Sequence, residues 1–172
     1  MMIDSTARCP KWLSERICAQ KGTISFYQYM DWVLNDKEHG FYSSGKLKIG
    51  KHGDFCTSPS LTNDFARLLA IQVVEWFLDL IKAGINPKIF SLVEMGPGEG
   101  TLARDLIISI LEIAPNLTGK IELVLVEPNK GMRKRQEKVV ADLSGVKVRW
   151  SNLENLSNNP VIGVVIANEV LD

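Results

Sequence analysis

The chain has 172 residues, 45% of them hydrophobic and 23% charged, with 20 basic residues balanced by 20 acidic ones. These are the proportions of an ordinary soluble globular protein, and the length suits one domain with a substantial core. Zero formal net charge argues against broad attraction to nucleic acid or an anionic membrane, and no apolar stretch approaches the ~18 residues of a spanning helix.

Residues 1–21 are polar with scattered charges and lack the apolar centre of a signal peptide. Cys9, Cys18 and Cys56 are odd in number and lack C-x-x-C spacing, so a reduced, cytoplasmic setting is expected. Loose helical character runs through 3–20, with Trp12, Ile17 and Ala19 as anchors. A clearer helix starts at Ser25, where Ser25 and Gln28 match a capping box and Ile24 and Tyr29 a hydrophobic staple. Phe26, Met30, Val33 and Leu34 give it an apolar stripe, and Gly40 ends it. Residues 41–59, rich in Gly, Ser, Lys and His, read as a loop with room for a short hairpin. The longest helix is expected over 61–83, with Phe65, Leu68, Leu69, Val73, Trp76, Phe77 and Leu80 as its core face; Gly84 and Pro87 stop it.

From residue 88 the pattern alternates between strand and helix. Strands are expected at 89–94, 120–127, 146–150 and 161–167, with helices at 102–113 and 130–141 between the first three. Apolar strands divided by amphipathic helices imply βαβ units and a parallel sheet covered on both faces. The chain stops directly after the fourth strand, so the expectation is the N-terminal part of a longer protein.

Three segments carry chemistry. In Glu94-Met-Gly-Pro-Gly-Glu-Gly-Thr101 an acid ends the first strand, and Gly96, Gly98 and Gly100 follow before a helix. Dinucleotide enzymes prefer G-x-G-x-x-G. The G-x-G-x-G spacing here, with the preceding acid, resembles motif I of S-adenosylmethionine (SAM) dependent methyltransferases. The glycines let backbone amides approach a ligand, and the helix start at Thr101 favours a carboxylate. Glu94 suits an ammonium group; Glu127, ending the second strand, suits a ribose diol. After the third strand, Asn152, and more weakly Leu153, could meet the adenine. Asn168, Glu169 and Asp172 follow the fourth strand, at the edge where ligands of open α/β sheets collect. The bland alternative there is an ordinary helix start capped by Asn168. The third segment, Gly53-Asp-Phe-Cys-Thr-Ser-Pro59, offers Thr57 and Ser58 hydroxyls before an extended Ser-Pro step, or is simply a helix lead-in. His39 and His52 have no partners at metal-ligand spacing, so no metal is expected. Lys130, Arg133, Lys134, Arg135 and Lys138 read as a solvated helix face.

Taken together, residues 24–30 (Ile-Ser-Phe-Tyr-Gln-Tyr-Met), 39–43 (His-Gly-Phe-Tyr-Ser), 53–59, 94–102, 126–128 (Val-Glu-Pro) and 166–172 (Ile-Ala-Asn-Glu-Val-Leu-Asp) resemble the MidA-like family of SAM-dependent methyltransferases. The match runs along nearly the whole chain, and Gly-Asp-Phe-x-Thr-Ser-Pro is its most specific part. The resemblance implies a Rossmann-like α/β fold, here an incomplete sheet of about four parallel strands. Residues 1–87 would form an N-terminal helical and loop extension, and 88–172 the first half of the SAM-binding domain. It implies S-adenosyl-L-methionine as cofactor and a protein as substrate, with methyl transfer to a side-chain nitrogen, arginine in the family's mitochondrial member. Carried over, Glu94, Gly96, Gly98, Gly100, Thr101 and Glu127 would bind SAM. Thr57, Ser58 and Pro59 would help close the site, and Asn168, Glu169 and Asp172 would face the acceptor. Family members are longer, and many carry Arg where this chain has Glu99. Two other readings stay open: a non-catalytic SAM-binding or assembly protein, and a nicotinamide dehydrogenase, which the glycine spacing disfavours.

Overall fold

The computed structural model of the chain describes residues 9–45, 47, 53–54 and 62–170. It separates into two compact units, 1–46 and 47–172. In the first, α1 (Lys11–Ala19) and α2 (Phe26–Asn35) are the helices among the described residues. The capping box is formed: Ser25 Oγ accepts from the Gln28 backbone N–H at 3.1 Å, and the Gln28 side-chain oxygen Oε1 accepts from the Ser25 N–H at 3.3 Å. The anchors differ from expectation. Leu13 is the buried residue of α1 while Ala19 is exposed, and Phe26 stands in solvent, leaving Met30, Val33 and Leu34 as the half-buried stripe of α2.

The second unit contains α3 (Asp64–Lys82), β1 (Phe90–Met95), α4 (Thr101–Ile113), a 3₁₀ turn (Pro115–Leu117) and β2 (Ile121–Val126). These are followed by α5 (Lys130–Val139), β3 (Lys147–Ser151), α6 (Leu153–Asn158) and β4 (Gly163–Ala167). The strands form one parallel sheet in the order β3-β2-β1-β4. The α/β class and the strand–helix alternation are as expected. β1 and β2 are central and almost wholly buried, which is why both read as continuous apolar runs.

Pleating sends alternate residues to opposite faces. Phe90, Leu92, Ile121, Leu123, Leu125 and Val164 join the main core with α3 and α4. Val93, Val124 and Val126 form a smaller core with Met95, Leu156 and Val161. That second face is also polar: Ser91 Oγ donates to Glu122 Oε1 at 2.8 Å, and Arg149 bonds the same carboxylate. Ser91, Arg149 and Lys147 hold the Glu122 carboxyl below its usual range, against the opposing effect of burial.

Two expectations are corrected here. The docking face of α3 runs through Ala66, Ala70, Val73, Val74 and Phe77, whereas Leu68 is 71% and Trp76 43% exposed and Phe65 is also at the surface. Small residues on that face let α3 approach its neighbours closely. The fourth strand is not apolar-buried throughout. It begins at Gly163, and Val165, beside the fully buried Val93, is 58% exposed. Gly163 is required by proximity, because a Cβ there would sit 1.8 Å from the Ser91 carbonyl oxygen.

Candidate functional site

Parallel pairing aligns the ends of the strands. Ser151, Val126, Met95 and Ala167 lie side by side as the last paired residues across the sheet. The next residue of each chain segment is therefore Asn152, Glu127, Gly96 and Asn168. At about 4.8 Å per strand, this row extends roughly 14 Å along the carboxyl edge. β2 and β4 flank β1 on opposite sides, so the strand order reverses beside β1, the place where open α/β sheets form a ligand crevice.

The glycine turn occupies the centre of that row. Gly96 and Gly100 have φ of 62° and 87°, the left-handed region that costs an L-residue strain. Space is tight as well: a Cβ on Gly100 would lie 3.3 Å from Gln136 Cγ, and one on Gly96 3.2 Å from Val170 Cγ2, so each neighbour would have to give by a few tenths of an ångström. The latter distance places the segment after β4 directly against the turn. Gly100 caps α4, with Thr101 as its first residue.

Glu94 lies on the α4 side of the sheet and is only 5% exposed. Burial pushes its carboxyl up to about 8, although the Ala103 backbone N–H in the first turn of α4 opposes this by favouring the anion. Its Oε2 is buried and has no hydrogen-bond partner among the described residues. A buried orphan acceptor is costly, and a donor or cation arriving there would remove the penalty.

Glu127 is partly satisfied. Oε1 accepts from the Asn129 N–H at 2.8 Å and Oε2 from the Gln136 amide at 3.1 Å. A carboxylate has about four acceptor positions, so about two remain for a diol. Burial raises its pKa above the usual carboxylate range, while the Asn129 N–H, Gln136 and Arg133 hold it back. Around it, Arg133 Nε donates to the Glu127 carbonyl at 2.6 Å, and Arg135 pairs with Glu99 at 2.7 Å and with the Leu47 carbonyl.

The remaining expected residues fall as follows. Asn152 sits in the row but is exposed, and its Oδ1 caps α6 by accepting from the Asn155 N–H at 2.7 Å. Asn168 and Glu169 follow β4, and Glu169 has φ of 50°, unusual for a residue with a side chain. Thr57, Ser58, Pro59 and Asp172 lie outside the described residues. Gln136, Trp150 and Val170 were not singled out from the sequence. Gln136 was detectable: it lies between Met132 and Val140 on the one buried stripe of a charged helix, a polar residue at a core position.

Comparison with known proteins agrees with this geometry. Residues 68–172 match the profile of a family described as "Putative S-adenosyl-L-methionine-dependent methyltransferase". The chain is similar to the mitochondrial protein arginine methyltransferase NDUFAF7 of Xenopus laevis, 41% identical over 50% of this chain and 18% of that one. To the Bos taurus protein of the same name it is 31% identical over 75% of this chain and 33% of the other. A crystal structure of a Burkholderia thailandensis superfamily member bound to S-adenosyl-homocysteine superposes with a TM-score of 0.71 and 31% identity, covering 94% of this chain and 40% of that one. The chain thus spans about a fifth to a third of the length of these curated relatives. The cytoplasmic expectation drawn from cysteine usage is overturned, since the curated relatives are mitochondrial proteins by name. Free thiols fit any reducing compartment, and composition could not distinguish among them. With its profile match, its parallel sheet and its glycine turn, this chain belongs to the S-adenosyl-L-methionine-dependent methyltransferase family.

Proposed function

We propose that this chain binds S-adenosyl-L-methionine along its carboxyl-edge row and directs its methyl group to a nitrogen of a protein side chain, arginine in particular. The observation that carries the reading is the row itself. Glu127, the glycine turn and Asn168 stand at one level, with the orphaned Oε2 of Glu94 behind the turn. The residues fit the cofactor's parts. The two free acceptor positions of Glu127 suit the ribose hydroxyls, the turn and α4 N-terminus suit the methionine carboxylate, and Glu94 suits the ammonium. Asn152, at the β3 end of the row, is assigned to the adenine side.

When bound, SAM supplies an electrophilic sulfonium methyl. The chain's contribution is then to hold an acceptor nitrogen in line at about 3 Å. Asn168 and Glu169, at the β4 end of the row, are assigned to the acceptor, together with Asp172. A guanidinium is a poor nucleophile, and a carboxylate on its far nitrogens would hold the charge there and take up the proton released. Arginine as acceptor rests on the relatives named protein arginine methyltransferases.

Calorimetric titration with S-adenosyl-homocysteine and transfer of labelled methyl to an arginine peptide test the proposal. Glu127→Gln should weaken binding by about tenfold or more. Glu169→Gln should leave binding within about twofold and cut transfer by at least about tenfold. Equal loss of binding and transfer in Glu169→Gln would remove its acceptor role. Binding with no transfer would support a cofactor-binding assembly protein instead.

A further inference from the structure

Gln136 is completely buried in the middle of α5, a helix whose other polar side chains are mostly basic. Its amide makes contacts with three separate elements. Nε2 donates to the Gly98 carbonyl in the glycine turn at 2.8 Å and to Glu127 Oε2 at 3.1 Å. Oε1 accepts from the Trp150 indole N–H of β3 at 2.8 Å. An indole nitrogen can only donate, so Trp150 fixes which end of the amide faces the ribose-binding acid. The aliphatic part of Gln136 also fills the space that Gly100 leaves open. One side chain therefore sets the height of the glycine turn, the orientation of Glu127 and the spacing of α5 from β3.

We propose that Gln136 is the positioning residue of the cofactor site, holding Glu127 and the glycine turn in register so that both ends of the cofactor meet prearranged partners. This rests on the SAM-binding reading above. Glutamine suits the task because it donates to a carboxylate and a carbonyl while accepting from an indole, all without charge. A glutamate, even carrying a proton, has a single O–H and could donate to Glu127 or to the Gly98 carbonyl but not to both. A leucine would fill the volume and leave Glu127 Oε2, the Gly98 carbonyl and the Trp150 N–H without that partner.

The test is a double-variant cycle on the full chain, read as S-adenosyl-homocysteine affinity, with circular dichroism confirming folding. Gln136→Leu should weaken binding roughly 10–100-fold, the loss of a charge-assisted hydrogen bond. If Gln136 acts through Glu127, adding Gln136→Leu to Glu127→Gln should cost far less than in the wild-type background. Fully additive losses would overturn the proposal. A second variant keeps the question open to refutation should Gln136→Leu fold poorly. Gln136→Glu should bind poorly at pH 8 and recover part of the lost affinity as pH falls towards 5, because a proton shared with Glu127 returns while the Gly98 carbonyl still lacks its donor. The charged groups near that pair are Arg133 on α5, which acts on Glu127, and, at the turn, Glu99 with its partner Arg135. They are common to both proteins, so the affinity ratio to wild type isolates the new pair. A pH-independent ratio would overturn the proposal. Absence of binding by wild type would defeat the cofactor reading and this inference together, whereas binding with additive losses would defeat this inference alone.

Discussion

At the scale of single residues, the site is marked by polar groups left in states that folding alone does not favour. Glu94 is the clearest. Its carboxyl is buried against α4, its pKa is raised to about 8, and one oxygen has no partner among the described residues. Because its folded value lies above the ordinary 4.5, the folded chain binds the proton more tightly than the unfolded chain does. Stability from this group is therefore fully present below about pH 4.5, falls between there and pH 8, and is flat above, with a slope of at most about 1.4 kcal/mol per pH unit. Glu94→Gln cannot ionise. Without cofactor it should be more stable than wild type at pH 8–9, with the difference closing towards pH 5, as urea denaturation across that range would show. The same substitution should lose affinity for S-adenosyl-homocysteine, since a neutral amide replaces the anion assigned to the ammonium. A stability difference that does not change with pH would mean that Glu94 is already paired or solvated.

At the scale of elements, the legible parts were those governed by local rules. The Ser25–Gln28 capping box is a four-residue motif whose outcome depends on little else, and it formed as read. β1 and β2 were visible as largely apolar runs because burial on both faces favours apolar residues, with Ser91, Glu94 and Glu122 as polar exceptions. Helix α3 shows the limit. Its large apolar residues repeat at helical spacing, but docking selected the stripe through Ala66, Ala70, Val73 and Phe77, which permits closer approach than Leu68 and Trp76 would. Of the expected face, Val73 and Phe77 are buried and Leu69 and Leu80 pack against the core, whereas Phe65, Leu68 and Trp76 do not, and no local signal separates the two groups. Ala70→Leu should therefore cost about 1–3 kcal/mol through overpacking, whereas Leu68→Ala should stay within about 0.5 kcal/mol. Chemical denaturation of the two variants checks the face directly; the reverse order would restore the aromatic stripe as core. The site divides in the same way. Glu94, the glycines and Glu127 were readable because they sit at strand ends. Gln136 could be picked out only as a polar residue on a buried stripe; its role was not readable, because its three partners come from positions 98, 127 and 150, brought together only by the sheet.

At the scale of the whole molecule, the candidate site is an edge shared by four strands, so cofactor affinity and the integrity of the sheet should be linked. A ligand that binds only the folded state stabilises it by RT ln(1 + [L]/Kd), about 2.7 kcal/mol at a hundredfold excess over Kd. S-adenosyl-homocysteine should thus move the urea midpoint upward without changing the slope, because the surface exposed on unfolding is nearly the same. Gly163 provides a control remote from the carboxyl edge. It begins β4, at the far end of the strand from Asn168, and a Cβ there would collide with the Ser91 carbonyl. Gly163→Ala must displace β4 from β1, for a cost of about 2–4 kcal/mol. Because Val170 packs on Gly96, the displacement should reach the glycine turn. The variant should then lose cofactor affinity although residue 163 touches no part of the site. If it loses stability but binds S-adenosyl-homocysteine as wild type does, β4 is not part of the platform, and the cofactor rests on β1, β2 and β3 alone.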